Sequence, residues 1–479
     1  VYNYFEGIFS IKGCIMNSYV SISDIRDLKV MGARTQLGNA WASSTHKLIA
    51  LDKETLLPVS VDWWYEDEST PRHTGPIFTD TRPDVRLLAN SDIYRLGDVI
   101  NISNIGGSGG ALAAIKNDGV VEAWGVPESG GTSPTSDRNH NVRAIYGGRE
   151  ISAAINSNGQ VFTWSVDGNN PLPDHIAALT DIVAIKVAEY GYDSGSNSYL
   201  ALRANNQVVQ WTDGAPREDF PKDIAERKDF VAIQTTEYAF AGITQNGHVI
   251  AWGDGAYGGE LPIHLKEVND VIALHSNTGT FVALRATGNI FAWGSAKYGA
   301  DIPDNIANLS DIVSIHSTDT TFIALRKNGS VVFWGQSYYL SELPQEIACL
   351  TNIIDVQAAI NGSYAFLTSD GDVYCWGHVA NRMPQNVTNV VSLTGGAWNA
   401  FAALRRDGTV LAWGDKYEGG DTTPVAHELY NIRAIYSCGY RFIALRDDDQ
   451  VFEWGVEART DISKMPANLQ GNITYSFVK

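Results

Sequence analysis

Apolar runs of four to six residues alternate with short polar turns through most of the chain, and one pattern returns about every 41 residues. In Phe322-x-Ala324-Leu325-Arg326-x-x-Gly329-x-Val331-x-x-Trp334-Gly335, apolar residues flank Gly329 on both sides, which predicts two strands joined by a tight turn. The tryptophan ends the return strand. It recurs at Trp124, Trp164, Trp211, Trp252, Trp293, Trp334, Trp376, Trp413 and Trp454, with spacings of 40, 47, 41, 41, 41, 42, 37 and 41. Five residues before these stand Gly119, Gly159, Asn206, Gly247, Gly288, Gly329, Gly371, Gly408 and Asp449. Glycine takes positive φ without steric cost, and Asn and Asp are the next most tolerant residues, so every copy predicts a hairpin. A loop follows, often with a proline about ten residues after the Trp (Pro173, Pro221, Pro262, Pro303, Pro344), and then another apolar run such as Ile312–Ile315.

Three or four short strands per unit cannot bury both faces alone, whereas radial stacking buries the Trp and aliphatic faces between neighbours. The fold expected is all-β: a β-propeller of about nine repeats (seven to nine blades) over residues 101–479, preceded by a small β-rich region over 1–100. A solenoid would need polar caps. The apolar segment from Ile473 to Val478 fits pairing in a closing blade better. The repeat resembles that of the regulator of chromosome condensation family of β-propellers, with a period near that of its short-repeat bacterial members, among them a β-lactamase inhibitory propeller. The resemblance covers about residues 102–479 and departs from the family in two ways. Many family repeats carry a Gly-x-x-His segment, but here Thr280, Thr321, Ser363 and Ala400 stand at the histidine position, and nine signatures replace the usual seven. Such propellers serve as exchange factors, inhibitors and binding platforms, so the resemblance speaks to fold more than to function.

Before Asn101 the repeat fades. Leu48–Leu51, Val59–Val61 and Val85–Leu88 read as strands of a hairpin-rich region, a small β-sandwich or a decayed repeat packed on the propeller.

The formal charge of −19 argues against a binder of nucleic-acid phosphates and against docking on an anionic membrane surface. No apolar stretch approaches the length of a membrane span, so no membrane insertion is expected. Four scattered cysteines give neither a disulfide framework nor a C-x-x-C pair. No nucleophile elbow, phosphate loop or H-E-x-x-H motif occurs. The chain is expected to be no enzyme, with no cofactor, no metal and no catalytic residue. Low Cys and Lys, high Trp and the acidic balance fit a bacterial secreted or surface protein. No targeting signal is visible at Val1, and the expectation is a monomer or a part of a larger polypeptide.

Several clusters invite a functional reading. Ile105–Gly110 is glycine-rich, but no helix follows to hold a phosphate, which leaves a flexible loop leading into the first blade. His275 and His316 both stand 18 residues before their Trp, with Gln234 at the same place one repeat earlier. A metal or acid–base pair there would need ligands that the repeat does not supply, and neighbouring blades are expected to hold the two rings apart. Arg203, Arg285, Arg326, Arg405 and Arg446 read as ion-pairing residues between blades. The strongest surface candidates follow the Trp. Tyr257, Tyr298 and Tyr339 stand five residues beyond it and Tyr417 four beyond, so they should form an arc on one rim or lie flat on neighbouring blades. Tyr190 and Tyr192 sit in the insertion that lengthens the third repeat. Tyrosine gives large amphipathic contact area at low entropic cost. The leading expectation is a non-enzymatic platform for a protein partner. A sugar-binding adhesin or toxin-attachment module is the alternative, with a glycan as ligand, and guanine-nucleotide exchange follows from family analogy alone.

Overall fold

The computed structural model describes residues 25–34 and 46–478, except 84, 96–97, 101–104, 108–109, 149–151, 169, 190–196, 213–214, 217–219, 396–397 and 456–462. Among the described residues, nine small antiparallel sheets follow one another, each with an inner, a middle and an outer strand; the third adds a short fourth, Ala215–Pro216. The sixth is typical: Ile312–Ser317, Thr321–Arg326 and Val331–Gly335. Inner strands of successive sheets pack side by side, and that of the ninth, Ile432–Cys438, packs against that of the first, Ile105–Gly107. The sheets are therefore blades 1 to 9 of a closed β-propeller. The first three residues of the glycine-rich stretch are correspondingly no flexible loop: Gly106 pairs with Ala113, and Ile105–Gly107 is the inner strand of blade 1.

The repeated residues explain the closure. The positive-φ position of each hairpin is filled as the sequence predicts, with Asn206 at φ 65° and Asp449 at φ 62° standing among the glycines. The aromatic twelve residues before the Trp stacks on it, as Tyr199 on Trp211 at 4.9 Å and Phe281 on Trp293 at 5.1 Å. Each Trp is buried against the preceding blade, as Trp376 is with Ile323, Leu325 and Val331 of blade 6. Its indole also reaches back. Trp164, Trp293, Trp334 and Trp454 donate to the carbonyls of Gly130, Gly258, Gly299 and Gly419 in the loop of the blade before. A β-bulge near the start of each inner strand from blade 2 to blade 9 sets the register of the rest.

The hairpin turns between middle and outer strands define one face of the ring, the turn face. The turns between inner and middle strands, and the loops after the Trp, emerge on the other, the loop face. The recurring arginines lie on the turn face, and three of them pair within their blades, not between them. Arg203 meets Asp181, Arg285 meets Asp270 and Arg326 meets Asp311, each aspartate preceding the inner strand of the same sheet. The reason is register, because the end of the middle strand pairs with the start of the inner one.

The described strands between residues 26 and 100 form one nine-stranded sheet with Ser476–Val478, which pairs antiparallel with Asp98–Ile100. The expected closing pairing of this last segment inside a blade does not occur. Ile473 and Tyr475 are buried in a core shared by Trp63, Tyr65, Leu87 and the blade 9 residues Ala434, Tyr436 and Ile443, and this carries the chain onto the N-terminal sheet. The sheet docks on the turn face. Met31, Ile49 and Leu51 pack with Val391 of blade 8 and Ile435 of blade 9, Gly32 donates to the Arg433 carbonyl, and Lys29 meets Asp447. Inside the sheet, Asp80 holds the buried Arg34 at 2.7 Å and accepts from the Tyr65 hydroxyl at 3.0 Å.

Candidate binding rim

The loop after the Trp is built to present its tyrosine. In blade 4 the Asp254 carboxylate caps a short helical turn, Gly255–Tyr257, by accepting from the Ala256 amide. Gly258 then reverses the chain at φ 96° and offers its carbonyl to Trp293. Blade 5 repeats the turn as Ala296–Tyr298 with Gly299, and blade 8 as Lys416–Glu418 with Gly419. The tyrosine is thus fixed by the bond that locks the next blade.

Tyr238 on the inner turn of blade 4 meets Tyr257 edge-on at 4.5 Å, and Tyr257 lies 6.2 Å from Tyr298. The last two are half-buried over Gly279, where an added Cβ would stand 2.5 Å from the Tyr298 ring and 3.1 Å from that of Tyr257. Burial, the largest cause, pushes the Tyr257 hydroxyl above its ordinary range. Tyr339 is 46% exposed and sits 4.3 Å from His378, with the 95% exposed Tyr338 edge-on against it at 5.1 Å. Tyr417 is exposed under the Lys416 ammonium, 4.6 Å from its ring centre, and makes no contact with another aromatic ring among the described residues. Tyr190 and Tyr192 lie outside the described residues.

The sequence reading missed a second tier. Trp398 and Tyr440, on the inner turns of blades 8 and 9, stack at 6.3 Å and are half-buried. These turns are tied blade to blade by backbone bonds. Glu237 donates to Thr278, Asp319 to Ile360, Asn361 to Trp398 and Trp398 to Gly439. Trp398 stands 15 residues before Trp413, where the neighbouring repeats hold Glu237, Thr278, Asp319, Asn361 and Gly439, so no recurring aromatic marked it. The loop face from blade 4 to blade 9 therefore carries aromatic rings on both tiers, held by backbone bonds.

The inner strands hold a different group. Register places Lys186, Gln234, His275, His316 and Gln357 at one level on blades 3 to 7, opposite Leu200, Ala241, Val282, Ile323 and Ala365. The two histidines stand on the adjacent inner strands of blades 5 and 6. Burial first, then the charges of His275 and Lys47, hold His316 down to about 3, and burial with the Lys186 charge lowers His275 to about 4. His316 is wholly buried and hydrogen-bonds with the Ser314 hydroxyl at 3.0 Å. Asp355, two residues before Gln357 and accepting from its amide at 3.1 Å, is pushed up to about 7 by burial, against the pull of Lys47. Lys47 comes from the docked sheet, which no repeat spacing announces. The described residues include no group of three or more His, Cys, Asp or Glu side chains placed to hold a metal ion.

No protein-family model matches the chain, and no curated protein sequence does either. Among solved structures it is similar to Prp20p from Saccharomyces cerevisiae, at 13% identity over 84% of this chain and 93% of that one, with a TM-score of 0.34. It is also similar to the CRINKLY WD40 ectodomain of the Arabidopsis thaliana receptor kinase ACR4, at 15% identity over 62% and 99%, with a TM-score of 0.36. The computationally designed Ika8 protein gives 16% identity over 66% and 96%, with a TM-score of 0.39. At these values the likenesses carry no argument about function. The nine radial sheets establish the fold by themselves.

Proposed function

We propose that the chain is a non-enzymatic platform that recognises a protein partner through the loop face of blades 4 to 9. One observation carries this reading. Aromatic rings that a purely structural role would bury stand half-exposed along one rim, on loops fixed by backbone bonds to the next blade. Rigid aromatic side chains lose little entropy on binding and dominate interface energetics. Tyr298 and Tyr339 stand at the middle of the arc, and Tyr238, Tyr257, Trp398 and Tyr440 extend it. A secreted or surface setting, as composition alone favours, belongs to the same proposal.

The test is affinity capture from bacterial and host extracts on the immobilised chain, followed by direct titration of the captured protein. Tyr298→Ala with Tyr339→Ala should weaken that binding at least about tenfold, or roughly 1.4 kcal/mol, while the melting temperature stays close to that of the parent. Undiminished binding by the double variant, above all with a large fall in melting temperature, would show that the rings are packing elements.

A further inference from the structure

The N-terminal sheet has two faces of opposite character. Along Val61–Tyr65 the odd residues Val61, Trp63 and Tyr65 are buried against the blades, so Asp62 and Trp64 point the other way. Asp62 is flanked on one side by Thr74 and on the other by Asn90, and beyond Asn90 lies Arg95. Residues directly opposite on neighbouring strands share a face, so these side chains stand together. They line a cleft of about 700 Å³, with Trp64 as its aromatic wall and Asp92 at its edge. Trp64 is half-buried, and Arg95 and Asp92 are exposed. The Thr74 hydroxyl donates to one oxygen of the Asp62 carboxylate, which fixes that carboxylate in the cleft.

The chemistry of this lining selects among ligands. Two carboxylates, Asp62 and Asp92, oppose a phosphate or any other strong anion. A purely apolar ligand would cover the Asp62 carboxylate without replacing its water, at a cost on the order of 1–3 kcal/mol. A neutral polyol suits this lining. Its ring C–H face lies against the indole, and its adjacent hydroxyls donate to a carboxylate or accept from a guanidinium. Pockets for small ligands commonly join an aromatic wall to a few convergent polar groups in this way. We infer that the Trp64 cleft is a binding site for a neutral saccharide, separate from the aromatic rim and on the side of the sheet turned away from the blades.

The experiment uses the full chain and a printed panel of neutral oligosaccharides ending in glucose, galactose, mannose, rhamnose or an N-acetylhexosamine. The best-bound sugar is then titrated in solution against three variants. Trp64→Ala and Asp62→Asn should each weaken it at least about tenfold, while Tyr298→Ala with Tyr339→Ala leaves it within about twofold. Melting temperature and near-ultraviolet circular dichroism confirm that each variant is folded. If Trp64→Ala fails that check, Asp62→Asn, an isosteric change at the surface, decides alone. The inference is overturned by a panel with no saturable binder. It is equally overturned if binding survives both cleft variants, or falls with the rim variant instead, which would return sugar recognition to the loop face and leave the rim reading standing.

Discussion

Gly258 shows how much one residue does in this fold. It turns the chain at φ 96°, it supplies the carbonyl that receives the Trp293 indole proton at 2.9 Å, and it lies against the Phe281 ring. A Cβ there would come within 2.7 Å of that ring, which is itself stacked on Trp293 and wholly buried. Gly258→Ala therefore meets two costs, an unfavourable backbone region and overpacking, together about 2–4 kcal/mol. Gly255→Ala, three residues earlier, is the internal control. Its Cβ would meet only Glu260 at 3.9 Å, so its effect should stay within about 0.5 kcal/mol. Thermal and urea unfolding of the two variants measures the difference, and equal midpoints would mean that the loop yields without disturbing the Trp293 seat.

Among the elements, the hairpins were the most legible. Asn206 and Asp449 replace glycine in two copies, and both hold the left-handed backbone that their chemistry tolerates. The loop tyrosines were legible as a rim because they recur, whereas Trp398 has no aromatic counterpart at its place and Tyr440 shares its place, 14 residues before the Trp, with Tyr238 alone among the aromatics. The inner strands were legible only in part. Spacing aligned His275 with His316, but neither Lys47, which arrives from another sheet, nor the one-residue bulges can be read from it. The group they form has a pH signature. Asp355 is raised from 3.8 to about 7, so above pH 7 the folded state carries a buried charge that the unfolded state solvates freely. That penalty is full above about 7, shrinks as the pH falls, and is gone below about 3.8. The histidines run the other way. With folded values of about 4 and about 3 against 6.5, they cost stability as the pH falls below 6.5. Asp355→Asn removes only the first effect. Its melting temperature relative to the parent should therefore climb from pH 4 to pH 7 and then level off, and a flat difference across that range would place the carboxylate in contact with water.

At the scale of the whole molecule, the ring must be fastened where its chain ends meet, and the fastening differs from the other seams. Four of the nine repeat Trp indoles donate to a backbone carbonyl that no substitution removes. Trp124 instead donates to the Glu453 carboxylate of blade 9 at 2.8 Å, and the same oxygen receives the almost wholly buried Arg441 at 3.3 Å. Around it, Ser463 bonds both backbone groups of Gly125, Asn117 bonds Asn472 and Thr474, and the strand Ser476–Val478 joins Asp98–Ile100 in the docked sheet. Repeats that contact only their neighbours open from a free end, so removing the fastening should convert a closed ring into an open array. Glu453→Ala strands the Arg441 cation and the Trp124 donor together, a loss on the order of 3 kcal/mol. Hydrogen exchange should then rise in blades 1 and 9 and in the N-terminal sheet, with blades 4 to 6 little changed. Gln210 gives the comparison, because it receives the Trp252 indole inside the ring at 3.0 Å and strands no charge when removed. Gln210→Ala should loosen only blades 3 and 4. If both variants loosened the ring equally all round, the carboxylate seam would be one contact among many; a response confined to the chain ends would make it the point at which the propeller, and with it the loop face, is held closed.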